Sequence, residues 1–162
     1  MGIFWHVTKY KMQLSEIKPQ FVLVIGGAGS GKNYYIEHSA LSSFQLVDVD
    51  AIKGKLGVSA AISAIKPMLL QAFLNRENVV HPTTASNLQA QKNKIAAAKE
   101  HGYSVMLLLV ERPVEQALEQ VRQRVAKGGH DVNIDKIVSS NAIAKSNFTL
   151  LAPLVDVAKT VS

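Results

Sequence analysis

The densest chemical signal in the chain is the run Gly26-Gly27-Ala28-Gly29-Ser30-Gly31-Lys32, which fits GxxxxGK. Backbone N–H groups can converge on a phosphate only where no Cβ stands in the way, and glycine provides that freedom. A helix after the loop adds the positive end of its dipole, and the Lys32 ammonium adds a full charge beside the β- and γ-phosphates. The pattern predicts a cradle for ATP or GTP built from Gly26, Gly27, Ala28, Gly29, Ser30, Gly31, Lys32 and Asn33. Asn33 departs from the pattern, which asks for Ser or Thr as a Mg²⁺ ligand. Its amide oxygen can bind the metal, directly or through water, but more weakly.

A second constellation is Val47-Asp48-Val49-Asp50. Read as the end of a strand, its carboxylates at i and i+2 point to one side and the valines to the other. Asp48 is then a candidate for holding Mg²⁺. Asp50, beyond the strand, is a candidate base for an attacking hydroxyl, with Lys53 beside it as a substrate contact. Solvated turn acids are the plainer alternative. Thr83 and Thr84 follow Pro82 at the end of another apolar run, where their hydroxyls can meet substrate or cap a helix. His81 and His130 lack clustered partners and do not make a zinc site; His130 reads as a structural residue between helices.

Positioning these groups requires an α/β layout. Phe21 to Ile25, Gln45 to Val49, Asn78 to His81, Ser104 to Val110 and Val155 to Val161 read as strands. Helical patterns alternate with them, the signature of a parallel sheet with crossover helices. Val114, Ala117, Leu118, Val121 and Val125 form one apolar stripe expected to face the sheet, ended by Gly128-Gly129. Ala85 to Glu100 is rich in helix formers, and Val58 to Asn75 is a helix that Pro67 should kink or divide.

The 162 residues, 48% hydrophobic, suit a single domain over 1–162, with 1–20 as a leader and 21–162 as the core. With no cysteine there is neither a disulfide framework nor a thiolate metal site. No apolar run approaches the roughly 20 residues of a membrane span, so a cytoplasmic protein without a membrane partner is expected. The net charge of +6 suits a polyanion, whether one nucleotide or a polymer. Its lysines at 53, 55 and 66, then 92, 94 and 99, serve equally well as solvated helix faces. In the leader, Phe4, Trp5 and Tyr10 with Lys9 and Lys11 read as a packed segment, with base stacking as the alternative.

The glycine loop, the Asp48-Val49-Asp50-Ala51-Ile52-Lys53 segment and Gly128-Gly129-His130-Asp131-Val132 after an Arg-bearing helix resemble the zeta-toxin-like P-loop kinases, relatives of polynucleotide kinases. The resemblance covers Phe21 to the C terminus. It implies a three-layer P-loop fold with a five-stranded parallel sheet in order 2-3-1-4-5. It also implies Asp50 as the base, Arg124 as the cation on the transferred phosphoryl group and Arg122 as a lid residue. The departures are Asn33, Pro82 where a carboxylate is usual, and Ile137 to Asn141 where arginines are usual, with only Lys145 nearby. The leading expectation is an ATP- or GTP-dependent, Mg²⁺-assisted phosphotransferase acting on a hydroxyl of a nucleotide-sugar, nucleoside or nucleic acid. Its rivals are a nucleotide-binding module with weak or lost catalysis and a kinase of DNA or RNA hydroxyls, including those on a modified base.

Overall fold

Uninterrupted apolar runs make strands that must be covered on both faces. The computed structural model describes residues 17–128 and 133–162. The leader residues Phe4, Trp5, Lys9, Tyr10 and Lys11, and Gly129 to Val132 with His130, lie outside them. Strand β1 is Gln20–Ile25, β2 Gln45–Leu46, β3 Val79–Thr83, β4 Ser104–Val110 and β5 Val157–Val161. Every pairing is parallel and the order is β2-β3-β1-β4-β5, as the sequence predicts. Parallel neighbours need crossovers. These contain α1 Lys32–Glu37, α2 Val49–Leu56, α3 Val58–Leu74, α4 Leu88–Glu100, α5 Val114–Ala126 and α6 Ile134–Leu151.

Alternation along the strands divides the core into two layers. Phe21, Leu23, Ile25, Val79, Val105, Leu107 and Leu109 pack with Ile65, Leu69 and Phe73 of α3, Ile95 of α4, and Ala144 and Leu151 of α6. Val22, Val24, Val80, Leu108 and Val110 pack on the other face with Ile36 of α1. Each large side chain so buried contributes about 1.5–3 kcal/mol. The sheet is thus a rigid base whose C-terminal edge carries the loops.

Four expectations need correction. The second strand stops at Leu46, and Val49 already belongs to α2. Helix α3 runs undivided through Pro67, because Pro67 and Ser63, whose carbonyl loses its partner, are both exposed and water can satisfy that oxygen. Helix α4 begins at Leu88 and not Ala85; Asn87 caps it by accepting from the Ala90 N–H at 3.0 Å, so neither Thr83 nor Thr84 is the cap. Leu118 and Val121 of α5 pack with Ile137 of α6 and Ala28, not with the sheet.

Candidate functional site

The glycine run emerges from the buried end of β1 and turns into α1. Gly29 and Gly31 have φ of 75° and 91°, left-handed values that glycine adopts without strain. Close approach also excludes side chains. A Cβ on Gly26 would sit 2.4 Å from Ser30 Oγ and 2.8 Å from the Val110 carbonyl oxygen, and one on Gly27 would sit 2.6 Å from the backbone of Asn141. The Lys32 ammonium donates to the carbonyls of Gly26 at 2.9 Å and Gly27 at 3.1 Å. Burial lowers the Lys32 pKa, while Asp50 and Asp48 oppose that shift.

The acidic pair is built differently from its strand reading. Asp48 is the N-cap of α2 and accepts from the Asp50 N–H at 3.0 Å, while Asp50 lies in the first helical turn. The two carboxylates therefore occupy distinct environments. Asp48 is 8% exposed and desolvation raises its pKa. Asp50 has a 66% exposed side chain and pairs with Lys53 at 2.8 Å. Both still line the cleft that holds the loop.

That cleft, about 1430 Å³, gathers Ala28 to Asn33, Asp48, Asp50, Lys53, Thr83, Thr84 and Arg124. Thr83 Oγ1 accepts from the Ala85 N–H at 3.2 Å. Ala85 has a φ of 59°, a strained value for a residue with a Cβ, and the buried Asn147 side chain donates to its carbonyl at 2.6 Å. Together these bonds fix the turn that follows β3. Pro82 is tolerated in β3 because β2 ends at Leu46, opposite Val80, leaving β3 with β1 as its one neighbour there.

Arg122 is not brought to the cleft. It is exposed and paired with Glu119 at 3.3 Å, since its place on α5 lies off the face shared by Gln120, Val121 and Arg124. Lys145 pairs with Glu111 at 3.8 Å, whereas Lys136, two turns earlier on α6, lines the cleft. Three further features escaped the sequence reading. Arg112 leaves the end of β4, bonds Gln120 and lies against the loop, where a Cβ on Gly31 would come within 2.7 Å of Nη2. A cation just beyond the most apolar strand of a parallel sheet was the available signal. Ser140 Oγ accepts from the Ala28 N–H at 2.9 Å, and Asn141 Nδ2 donates to the Ala28 carbonyl at 3.5 Å, so polar side chains of α6 seat on the loop where the family resemblance expects arginines. Finally, Lys94, which lines the cleft, bonds the buried side chains of His81 and Gln91.

Among the described residues no three His, Cys, Asp or Glu side chains gather as a metal site. The available donors are the carboxylate of Asp48 and the exposed amide of Asn33. This sparse set suits Mg²⁺, which usually keeps several waters and takes phosphate oxygens as ligands.

The fold, the loop and the cleft define a P-loop kinase-like protein. The family model described as AAA domain (AAA_33) matches residues 21–146, and the chain belongs to that family. Three solved structures share the fold. A chain of the Pnkp1/Rnl/Hen1 RNA repair complex is 15% identical with a TM-score of 0.68, over 82% of this chain and 46% of its own. One from the PezAT chromosomal toxin-antitoxin system of Streptococcus pneumoniae is 14% identical with a TM-score of 0.66, over 88% and 68%. One from AvrRxo1-ORF1:AvrRxo1-ORF2 with sulphate ions is 16% identical with a TM-score of 0.68, over 93% and 57%. This chain thus spans about half the length of the RNA repair chain it matches. No curated protein sequence matches it. Among the described residues no helix is long and apolar enough to cross a membrane.

Proposed function

We propose that this chain is an ATP- or GTP-dependent phosphotransferase that moves the γ-phosphate to a hydroxyl of a nucleotide-sugar, nucleoside or nucleic acid. The observation that carries this reading is one cleft lined together by the glycine loop with Lys32 and by Asp48, Asp50, Lys53, Thr83 and Thr84. Phosphoryl transfer asks for positioning and charge more than for covalent chemistry, and this arrangement offers both.

In this reading the loop amides and Lys32 hold the triphosphate. Arg124 and Arg112 cover the transferred group, adding positive charge where negative charge spreads in the transition state. Asp50 accepts the proton of the acceptor hydroxyl, and its 2.8 Å ion pair with Lys53 orients its carboxylate. Thr83 and Thr84 orient the acceptor. Asp48 and Asn33 are the side chains that would hold Mg²⁺, which when bound neutralises charge between the β- and γ-phosphates. The structural likeness to a chain of an RNA repair complex keeps a nucleic-acid hydroxyl among the acceptors.

The test is incubation with γ-labelled ATP or GTP and a mixture of nucleosides, nucleotide-sugars and oligonucleotides, read by mass spectrometry. A phosphorylated acceptor formed by the native chain and not by Lys32→Ala supports the proposal; a chain that binds neither triphosphate overturns it. A specific observation favours a second reading, a nucleotide-binding module with weak chemistry: Ser140 and Asn141 occupy the loop-facing positions of α6, and Asn33 replaces the hydroxyl. Tight calorimetric binding of ATP without phosphate transfer over long incubations selects that reading. Steeply salt-dependent oligonucleotide binding selects a polynucleotide acceptor.

A further inference from the structure

The cleft also contains, away from the glycine loop in sequence, a lysine with an unusual set of partners. Lys94 projects from α4 and its Nζ donates to His81 Nε2 at 2.8 Å and Gln91 Oε1 at 3.2 Å. His81 is 1% exposed, and its Nδ1 bonds the Val47 carbonyl at 2.6 Å. With Nδ1 donating to that carbonyl, Nε2 is left as an acceptor, which fixes a neutral tautomer. Gln91 is 3% exposed and donates to the Asn87 carbonyl at 3.2 Å. The ammonium is therefore held by two buried neutral acceptors, each fixed by the backbone.

Neither of those partners carries a negative charge, and among the described residues Lys94 forms no ion pair with a carboxylate. A desolvated ammonium without an anion is costly, and burial lowers its pKa to about 8. Two of its three N–H donors are used and one remains. Lys94 and Gln91 line the same cleft as Asp50, Thr83 and Thr84, together with Ile62, Lys66 and Leu69 of α3. His81 links the assembly to Val47, the residue before Asp48, so the lysine and the acidic segment are held in register.

We propose that Lys94, oriented by His81 and Gln91, binds a phosphate or carboxylate group carried by the acceptor, so that the cleft selects anionic small-molecule acceptors over neutral ones. The proposal rests on the phosphotransferase reading for the word acceptor, but the anion site can be tested alone. In transfer, the acceptor anion seats on Lys94 while its hydroxyl loses a proton to Asp50; the oxygen bonds the γ-phosphorus and the nucleoside diphosphate leaves. Lys94 takes no part in bond making and is a specificity residue.

The experiment follows the side-chain resonances of Lys94 in full-length protein whose loop is saturated with a non-hydrolysable ATP analogue. Inorganic phosphate and acetate are titrated at constant ionic strength. The expected result is a saturable shift of Lys94 with one or both anions, stronger with phosphate if the acceptor group is a phosphate, and an affinity, read in the variants from the His81 ring resonances, about tenfold weaker in Lys94→Met than in Lys94→Arg. No saturable shift, or equal affinity in the two variants, overturns the anion site. If the variants fail to fold, the native titration alone decides. A second arm compares turnover of ribose with ribose 5-phosphate and of uridine with uridine 5′-monophosphate. Turnover of a phosphorylated member with at least a tenfold preference over its neutral partner supports selection; a preference for the neutral member overturns it. If ATP itself does not bind, the phosphotransferase reading fails while the Lys94 titration in the ligand-free protein still stands or falls separately.

Discussion

The two halves of the cleft are made of different material. The loop half is main chain: glycines at left-handed φ, carbonyls that hold Lys32, and approaches too close for any Cβ. The other half is side chain: Asp48 capping a helix, Asp50 paired with Lys53, and Lys94 supported by His81 and Gln91. A site formed by consecutive backbone amides needs a short stretch of fixed residue types. A site assembled from three elements has no local pattern, and its residues can change singly. In the proposed function, donor binding is thereby fixed in the loop, and acceptor choice rests on the β2–β3 side and on α3 and α4.

The sharpest way to break this division is at Asp50. If donor and acceptor halves are separate, Asp50→Asn lowers transfer by about 10²–10⁴-fold while ATP affinity changes little, because the base acts on the acceptor proton alone. Single-turnover rates and calorimetry on the same preparation read both quantities. Unchanged transfer removes Asp50 from the chemistry.

The next largest effect concerns pH. Burial, with the nearby Lys94 charge assisting, pushes the His81 pKa down from 6.5 to about 3. A depressed folded-state value means that the neutral form is the one favoured by folding, so this contribution is complete above pH 6.5 and is lost as pH falls towards 3. The loss is on the order of a few kcal/mol, and urea melts over that window should show it. His81→Gln should flatten the slope between pH 6.5 and 3. An unaltered slope means that protonation of another group governs acid unfolding.

The arginines of α5 make a smaller contrast. Arg124→Ala should reduce turnover by about 10²-fold, within the range for removing one transition-state donor. Arg122→Ala should stay near the native rate, since its partner is Glu119 on the exposed face. Equal losses from the two would mean that α5 turns in the working enzyme.

The sequence exposed these parts unequally, and the reasons are physical. The strands and the loop were legible because apolar runs and glycine spacing are local, while the strand order came with the family resemblance that the loop helps to carry. The acidic segment was misread because valine at every second place looks like a strand, although an Asp with another acid in the following turn is also a helix start signal. Lys94 looked like one of several solvated lysines; only the fold brings β3 and α4 together and gives it His81. Helix α6 had weak contrast between its faces, with Ser139, Ser140, Asn141 and Asn147 among its apolar residues, so nothing marked Ser140 as the partner of the Ala28 amide.

The smallest effect bears on whether the loop half is fully equipped. Asn33 is exposed at the start of α1 and lines the cleft beside Lys32. Asn33→Thr adds the hydroxyl that the loop pattern asks for at an exposed position whose side chain makes no hydrogen bond among the described residues. If the chain is an enzyme slowed by a weak metal ligand, the exchange should raise Mg²⁺-dependent turnover by roughly fivefold, equivalent to about 1 kcal/mol of metal or transition-state binding. Nucleotide affinity in the absence of Mg²⁺ should stay the same, because the loop amides and Lys32 are untouched. A higher affinity for Mg²⁺ with no gain in turnover would instead place the deficit on α6, where Ser140 and Asn141 supply hydrogen bonds but no positive charge.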